Sequence, residues 1–315
     1  MITPLDGGIG LLMLALGMAT INSTNPTASL VAFIPYPAIA GLYYWTANGL
    51  RAKRLVIKWW PLGWGFLVVT GLAGLLLHRD PRLAGITDSP NTLAVLLAMT
   101  LPPTLSRFAR KPIPLVAVLV TMGLVVATRS RSGLVGLALA LGVYYLPTVL
   151  RAKRLRRYYL AGGLALAVAI PMLRPDTVNL LTNGNANRLA FWGVALQMWQ
   201  TSPLYGTGPG TFSQYYSQVI TSGFPYASAH NWFMQLLGET GLLGAGGLAT
   251  VGVQFVAWFK RNRFARKPIM LGWLAGLAAF IWHCQWDTPG PLVLSVAAVI
   301  MGAVSYTHLT LPTNR

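Results

Sequence analysis

The 315-residue sequence predicts an all-α fold, a polytopic transmembrane helical bundle of about ten helices. Three observations carry that prediction. Hydrophobic residues make up 54% of the chain and charged residues only 10%, against roughly a quarter charged in a soluble domain. Apolar runs recur along the whole chain, and about 17–25 apolar residues suffice to cross a hydrocarbon layer of about 30 Å. Four acid-free basic clusters, at 51–58, 107–111, 151–157 and 260–267, separate those runs and hold 4, 3, 5 and 5 of the 24 Lys and Arg.

In chain order, 9–21 is the first apolar run and 28–47 the second, kinked by Pro35 and Pro37. After the 51–58 cluster, 61–77 crosses outward to the polar loop HRDPRLAGITDSP, and 91–105 returns. Run 112–128 leads out to a short turn, 129–132, and 133–150 leads back. Run 158–173 leads out to the longest polar segment, about 174–229. Then come 231–259 inward, 268–286 outward and 291–304 inward. This alternation puts every basic cluster on one side, as the retention of short basic loops in the cytoplasm requires. Both termini are expected there, with no cleavable signal sequence. The net charge of +18 is therefore a topology signal; membrane lipids are expected partners and nucleic acid is not.

Residues 1–304 read as one membrane domain, and the tail 305–315, which breaks the last apolar run, is expected to be non-native. Cys284, the one cysteine, excludes a disulfide framework within the chain and reads as a small buried hydrophobe. Within the outer segment, NRLAFWGVALQMW (187–199) places Phe191, Trp192, Ala195, Leu196 and Trp199 at helical spacing. That predicts an interfacial helix capped by Asn187.

The outer side carries the candidate chemistry. Arg129 and Arg131, in RSRSGLVG, read either as residues snorkelling to lipid head groups or as an anion site, since guanidinium groups bind phosphate oxygens bidentately. Arg188 reads as a solvated first-turn residue or as part of the same site. The loop PLYGTGPGTF contains Tyr205, Gly208 and Gly210, and its glycines allow a ligand to approach backbone N–H groups. It lacks the Gly-Lys-Ser/Thr ending of a P-loop. His230 and Asn231 open the apolar run AHNWFMQLLGETGLLG, and histidine is the natural general base near neutral pH. Glu239, nine residues on, lies about 13 Å deeper on an ideal helix and on the other face, so it should not orient His230 directly. It reads as a functional acid or as a partner for a neighbouring helix. The six acids, Asp6, Asp80, Asp88, Asp176, Glu239 and Asp287, form no close pair, and no His/Cys cluster exists, so no metal and no cofactor is expected.

Taken together and in this order, RSRSGLVG, NRLAFWGVALQMW, PLYGTGPGTF and AHNWFMQLLGETGLLG resemble the O-antigen ligase and O-antigen polymerase superfamily, over about 112–286. The resemblance implies a GT-C-like membrane glycosyltransferase of the bacterial cytoplasmic membrane, working on its extracytoplasmic face. The donor would be a glycan on undecaprenyl diphosphate; the acceptor would be lipid A-core, a glycan or a protein. Transfer would proceed without metal and with inversion. It implies that Arg131 and Arg188, with Arg129 beside them, grip the diphosphate and that His230 deprotonates the acceptor. Asn231, Tyr205, Gly208, Gly210 and Glu239 would support the site. Ligase, polymerase and protein O-glycosylating enzyme share these motifs. A transporter is the reading from another class, and it should show broken or charged helices at mid-membrane.

Overall fold

A computed structural model describes residues 3–77, 82–108, 113–151, 177–219, 228–261 and 268–305. Among the described residues there are twelve helices and no strand. They are α1 (Asp6–Ile21), α2 (Pro26–Phe33), α3 (Pro35–Asn48), α4 (Leu50–Leu77), α5 (Pro90–Arg107), α6 (Ile113–Ala127), α7 (Arg131–Arg151), α8 (Thr177–Thr201), α9 (Phe212–Val219), α10 (Trp232–Arg261), α11 (Pro268–Cys284) and α12 (Pro291–Ser305). Four stretches, Pro26–Asn48, Leu50–Leu77, Arg131–Arg151 and Trp232–Arg261, are long and apolar enough to cross a membrane. Large apolar side chains cover their outer faces: Leu76 is 86% exposed and Val253 69%. Such a surface suits lipid and would be a liability in water.

The chain divides into two compact units. The second, Leu50–Thr182 with Phe264–His283, is built around α5. Every residue of α5 from Leu93 to Leu105 is buried, as expected of a helix apolar all round, and α4, α6 and α7 pack on it. The Trp60 ring of α4 meets that of Trp273 on α11, with centroids 4.5 Å apart. The first unit comprises Met1–Gly49, Asn183–Arg263 and Cys284–Arg315. There α1 lies along α10, and α12 lies along α3.

Several sequence expectations change. The 51–58 cluster is not a loop, because it forms the first turns of α4, which runs unbroken through Pro61. Arg107, Arg151, Lys260 and Arg261 sit in last helical turns, where cations complement the helix dipole. Asn187 is not an N-cap, since α8 already begins at Thr177. The buried face of α8 is Phe191, Val194, Ala195 and Met198, packed on Phe212 and Tyr216 of α9, whereas Leu196 is exposed. Run 158–173, Asp176 and the tail beyond Ser305 lie outside the described residues.

Candidate functional site

The site is organised by α10 in the first unit. Gly241 has φ 61° and ψ −159°, which breaks the helix in two. An unpaired backbone group in hydrocarbon costs several kcal/mol, and here a second strand of backbone repairs the break. Thr207 N and Gly208 N donate to the carbonyls of Gly238 and Glu239 at 3.2 and 2.9 Å, while Leu242 N and Leu243 N donate to those of Pro203 and Leu204 at 2.9 and 3.2 Å. The loop fits because two glycines meet: a Cβ on Gly206 would lie 2.3 Å from the Glu239 carbonyl carbon, and one on Gly241 2.5 Å from that of Leu204. From the other side the α1–α2 connection and the start of α2 clamp the loop, with Thr24 N donating to Thr207 O at 3.0 Å and Ser29 Oγ to Pro209 O at 2.9 Å.

This reassigns the polar groups that the sequence offers to a ligand. The Gly208 amide is bonded within the protein, and the Gly210 and Phe212 amides face the carboxyl of Glu239. Gln235 Nε2 donates to the same carboxyl at 3.0 Å. The group cradled by the glycine-rich loop is thus the chain's own Glu239 carboxyl, beside the first turn of α9. Tyr205 is half-buried on the loop.

At the head of α10, Asn231 Oδ1 caps the helix by accepting from Met234 N at 3.1 Å. His230 precedes the cap with φ 49°. It and Arg129, with φ 54°, are the two non-glycine residues at positive φ among the described residues. Such a conformation costs on the order of 1–3 kcal/mol and persists only where the surroundings enforce it. His230 Nδ1 lies 3.0 Å from Asp287 Oδ1. A carboxylate only accepts hydrogen bonds, so in this contact Nδ1 is the donor. Thr288 N also donates to Asp287 Oδ1, at 2.9 Å. The His230 side chain is 32% exposed and that of Asp287 14%.

Asp287 is the residue that sequence reasoning passed over. It sits in the short connection between α11 and α12, on the side that the alternation of spans already shares with His230, and that placement was the available signal. Arg188 belongs to the same neighbourhood. Its guanidinium carbon lies 5.4 Å from the ring centroid of Trp286, the residue before Asp287, at cation–π range. One turn on, the Phe191 ring lies 5.7 Å from that of His230. Glu239 does not touch His230, as its spacing predicts.

Arg129 and Arg131 belong to the second unit and are described there. Ser130 Oγ caps α7 by accepting from Gly133 N at 3.2 Å. Arg131 is therefore the first helical residue rather than part of a turn, while Arg129 stands exposed before the cap. Trp282 Nε1 fixes the same corner by donating to Ser132 O at 3.1 Å. Arg82, which the sequence did not single out, clasps the corner, donating from Nε to Thr128 O and from Nη2 to Asn91 Oδ1, both at 3.2 Å. A capped helix N-terminus flanked by guanidinium groups is competent to hold an anion.

Comparison with known proteins bears on the family. The sequence model of a family described as O-antigen ligase matches residues 115–249. An O-antigen ligase of Pseudomonas aeruginosa is 30% identical over 270 residues, which cover 84% of this chain and 58% of that protein. The chain thus spans less than two thirds of the length of that relative.

Proposed function

The chain belongs to the O-antigen ligase superfamily, and on that premise we propose that it is a membrane glycosyltransferase joining a glycan from undecaprenyl diphosphate to the lipid A-core. The observation that carries the reading is the His230–Asp287 pair, held half-open at the head of a membrane helix. With Nδ1 donating to Asp287, Nε2 is the nitrogen assigned to take the proton. The acceptor hydroxyl gives that proton to Nε2 as its oxygen attacks the anomeric carbon. The bond from that carbon to the phosphate oxygen breaks, and the diphosphate leaves with the electron pair. A single displacement of this kind inverts the anomeric centre.

Charge grows on the diphosphate as the bond breaks, and fixed guanidinium groups stabilise it without reorganising. Arg131, Arg129 and Arg188 fill that role in the proposal. Such a leaving group needs no acid catalyst, and no metal ion is required for it. The basic clusters would face the cytoplasm and His230 the extracytoplasmic surface of the bacterial cytoplasmic membrane, where a lipid-carried donor is presented.

The broken helix at Gly241, with a buried acid beside it, is the one observation that favours a transporter. Its loose carbonyl and amide groups are filled by 203–208 rather than offered to an ion, which supports the enzyme instead. The test is reconstitution with an undecaprenyl-diphosphate glycan and lipid A-core, in excess EDTA. Glycosylated lipid A-core is expected. Chain extension on the carrier would make the protein a polymerase, modification of added protein alone a protein O-glycosylating enzyme, and loss of activity restored by Mg²⁺ would overturn metal independence.

A further inference from the structure

We propose that Gln235 and Thr288 are positioning residues that tie the His230–Asp287 pair to the buried Glu239; the proposal rests on His230 being the base. Gln235 is buried one turn into α10. Its Oε1 accepts from Ala229 N and from Thr288 Oγ1, each at 3.0 Å, and its Nε2 donates to Glu239 Oε1 at 3.0 Å. The amide cannot be turned round, because a backbone N–H always donates and would then face an NH₂ group. Its orientation is thereby fixed.

One oxygen atom therefore holds both members of the pair, each through its chain neighbour. Ala229 precedes His230 and Thr288 follows Asp287. On one side the bond pins the backbone that must stay left-handed for the imidazole to face Asp287. On the other it pins the residue whose amide steadies the carboxylate. The nitrogen end passes the constraint to Glu239, which Gly210 and Phe212 hold from the glycine-rich loop. Glu239 thus reaches His230 through Gln235, although the two residues do not touch. Geometry near a reacting atom is costly to lose, since a misplacement of about 1 Å can lower a rate about 10²-fold.

The test compares Thr288→Val, Thr288→Ser, Gln235→Met and His230→Gln in the full-length membrane protein, with lipid-linked glycan as donor. Thr288→Val removes one donor and should lower kcat about 10-fold, the scale of one hydrogen bond. KM for the donor should stay within about twofold of wild type, as expected when only the transition state suffers. Thr288→Ser restores the hydroxyl and should recover most of that loss. Gln235→Met keeps the shape but releases all three partners, and should lower kcat about 10²-fold. Thr288→Val should add nothing in a His230→Gln background, because it acts through the imidazole. Wild-type kcat in Thr288→Val and Gln235→Met, alongside an inactive His230→Gln, would overturn this inference alone. So would a raised KM at unchanged kcat, or equal loss in Thr288→Ser and Thr288→Val. Substantial turnover by His230→Gln would instead overturn the reading of the site. Should Gln235→Met fail to fold, the Ser/Val contrast at position 288 decides.

Discussion

Two carboxyl groups flank the first half of α10, Glu239 within the helix and Asp287 against its head, and they have opposite fates. At its inner end Glu239 is 7% exposed, and Gln235 Nε2 donates to its carboxyl from within the same helix. At its head Asp287 meets His230, whose side chain keeps 32% of its surface exposed. Both ends pair an acid with nitrogen donors. What separates them is whether a group in the pair still faces outward. The inner end is closed and joins a broken helix to a loop, so its chemistry is structural. The outer end holds a strained residue with an accessible ring, which is the arrangement a base requires.

That contrast can be broken most severely at Gly206. If the inner end is scaffold, Gly206→Ala should remove folded protein, not merely activity, because its Cβ would strike the Glu239 and Thr240 backbone at 2.3 Å with φ at 73°. A loss of about 4 kcal/mol or more is expected, the range reserved for such clashes. Gly193 is the control: nothing lies within 4 Å of its Cβ on α8, and alanine there should leave melting unchanged or raise it by up to about 1 kcal/mol through helix propensity. Thermal unfolding in detergent measures both. Equal behaviour of the two variants would mean that the loop does not brace α10.

The outer end should fail in the reverse manner. His230→Gln keeps a hydrogen bond to Asp287 but no base, so transfer should fall about 10²–10⁴-fold while melting stays near wild type. Arg131→Ala and Arg188→Ala should each lower transfer about 10²–10³-fold, the effect of losing one donor to developing charge. Lysine should rescue them only partly, because the bidentate fork is gone. Near-normal transfer by both alanine variants would remove the arginines from the site. In these variants activity must move and stability must not; in Gly206→Ala stability must move first.

The sequence makes the helical membrane character legible, because apolar run length and the spacing of the basic clusters are local properties. It also points to His230, since a histidine at the mouth of an apolar run is unusual in itself. Asp287 stays hidden, because its pairing spans 57 positions and depends on how α12 enters the fold. The glycine-rich loop is misleading for a related reason. Its composition shows that backbone will approach closely, but not whose backbone; the visitor is the interrupted stretch of α10. The start of α8 is missed as well, since the polar residues before Asn187 carry no apolar periodicity, yet the helix extends back to Thr177.

Asn231 provides the finest test of the boundary between the two ends. By sequence it is a companion of His230 in the site; by geometry its side chain accepts from Met234 N and caps α10. It is only 6% exposed, so the cap has little competition from water. Asn231→Ala should cost about 0.5–2 kcal/mol of stability, as cap removal does. Asn231→Ser can make the same bond and should restore most of it. Because the cap also fixes the residue that follows the left-handed His230, some transfer should be lost with it and recovered with serine, in step with melting. Stability and transfer of the two variants should therefore fall on one line. If Asn231→Ser melts like wild type yet transfers as poorly as Asn231→Ala, the amide itself acts on the substrate, and the site extends one residue further into the helix.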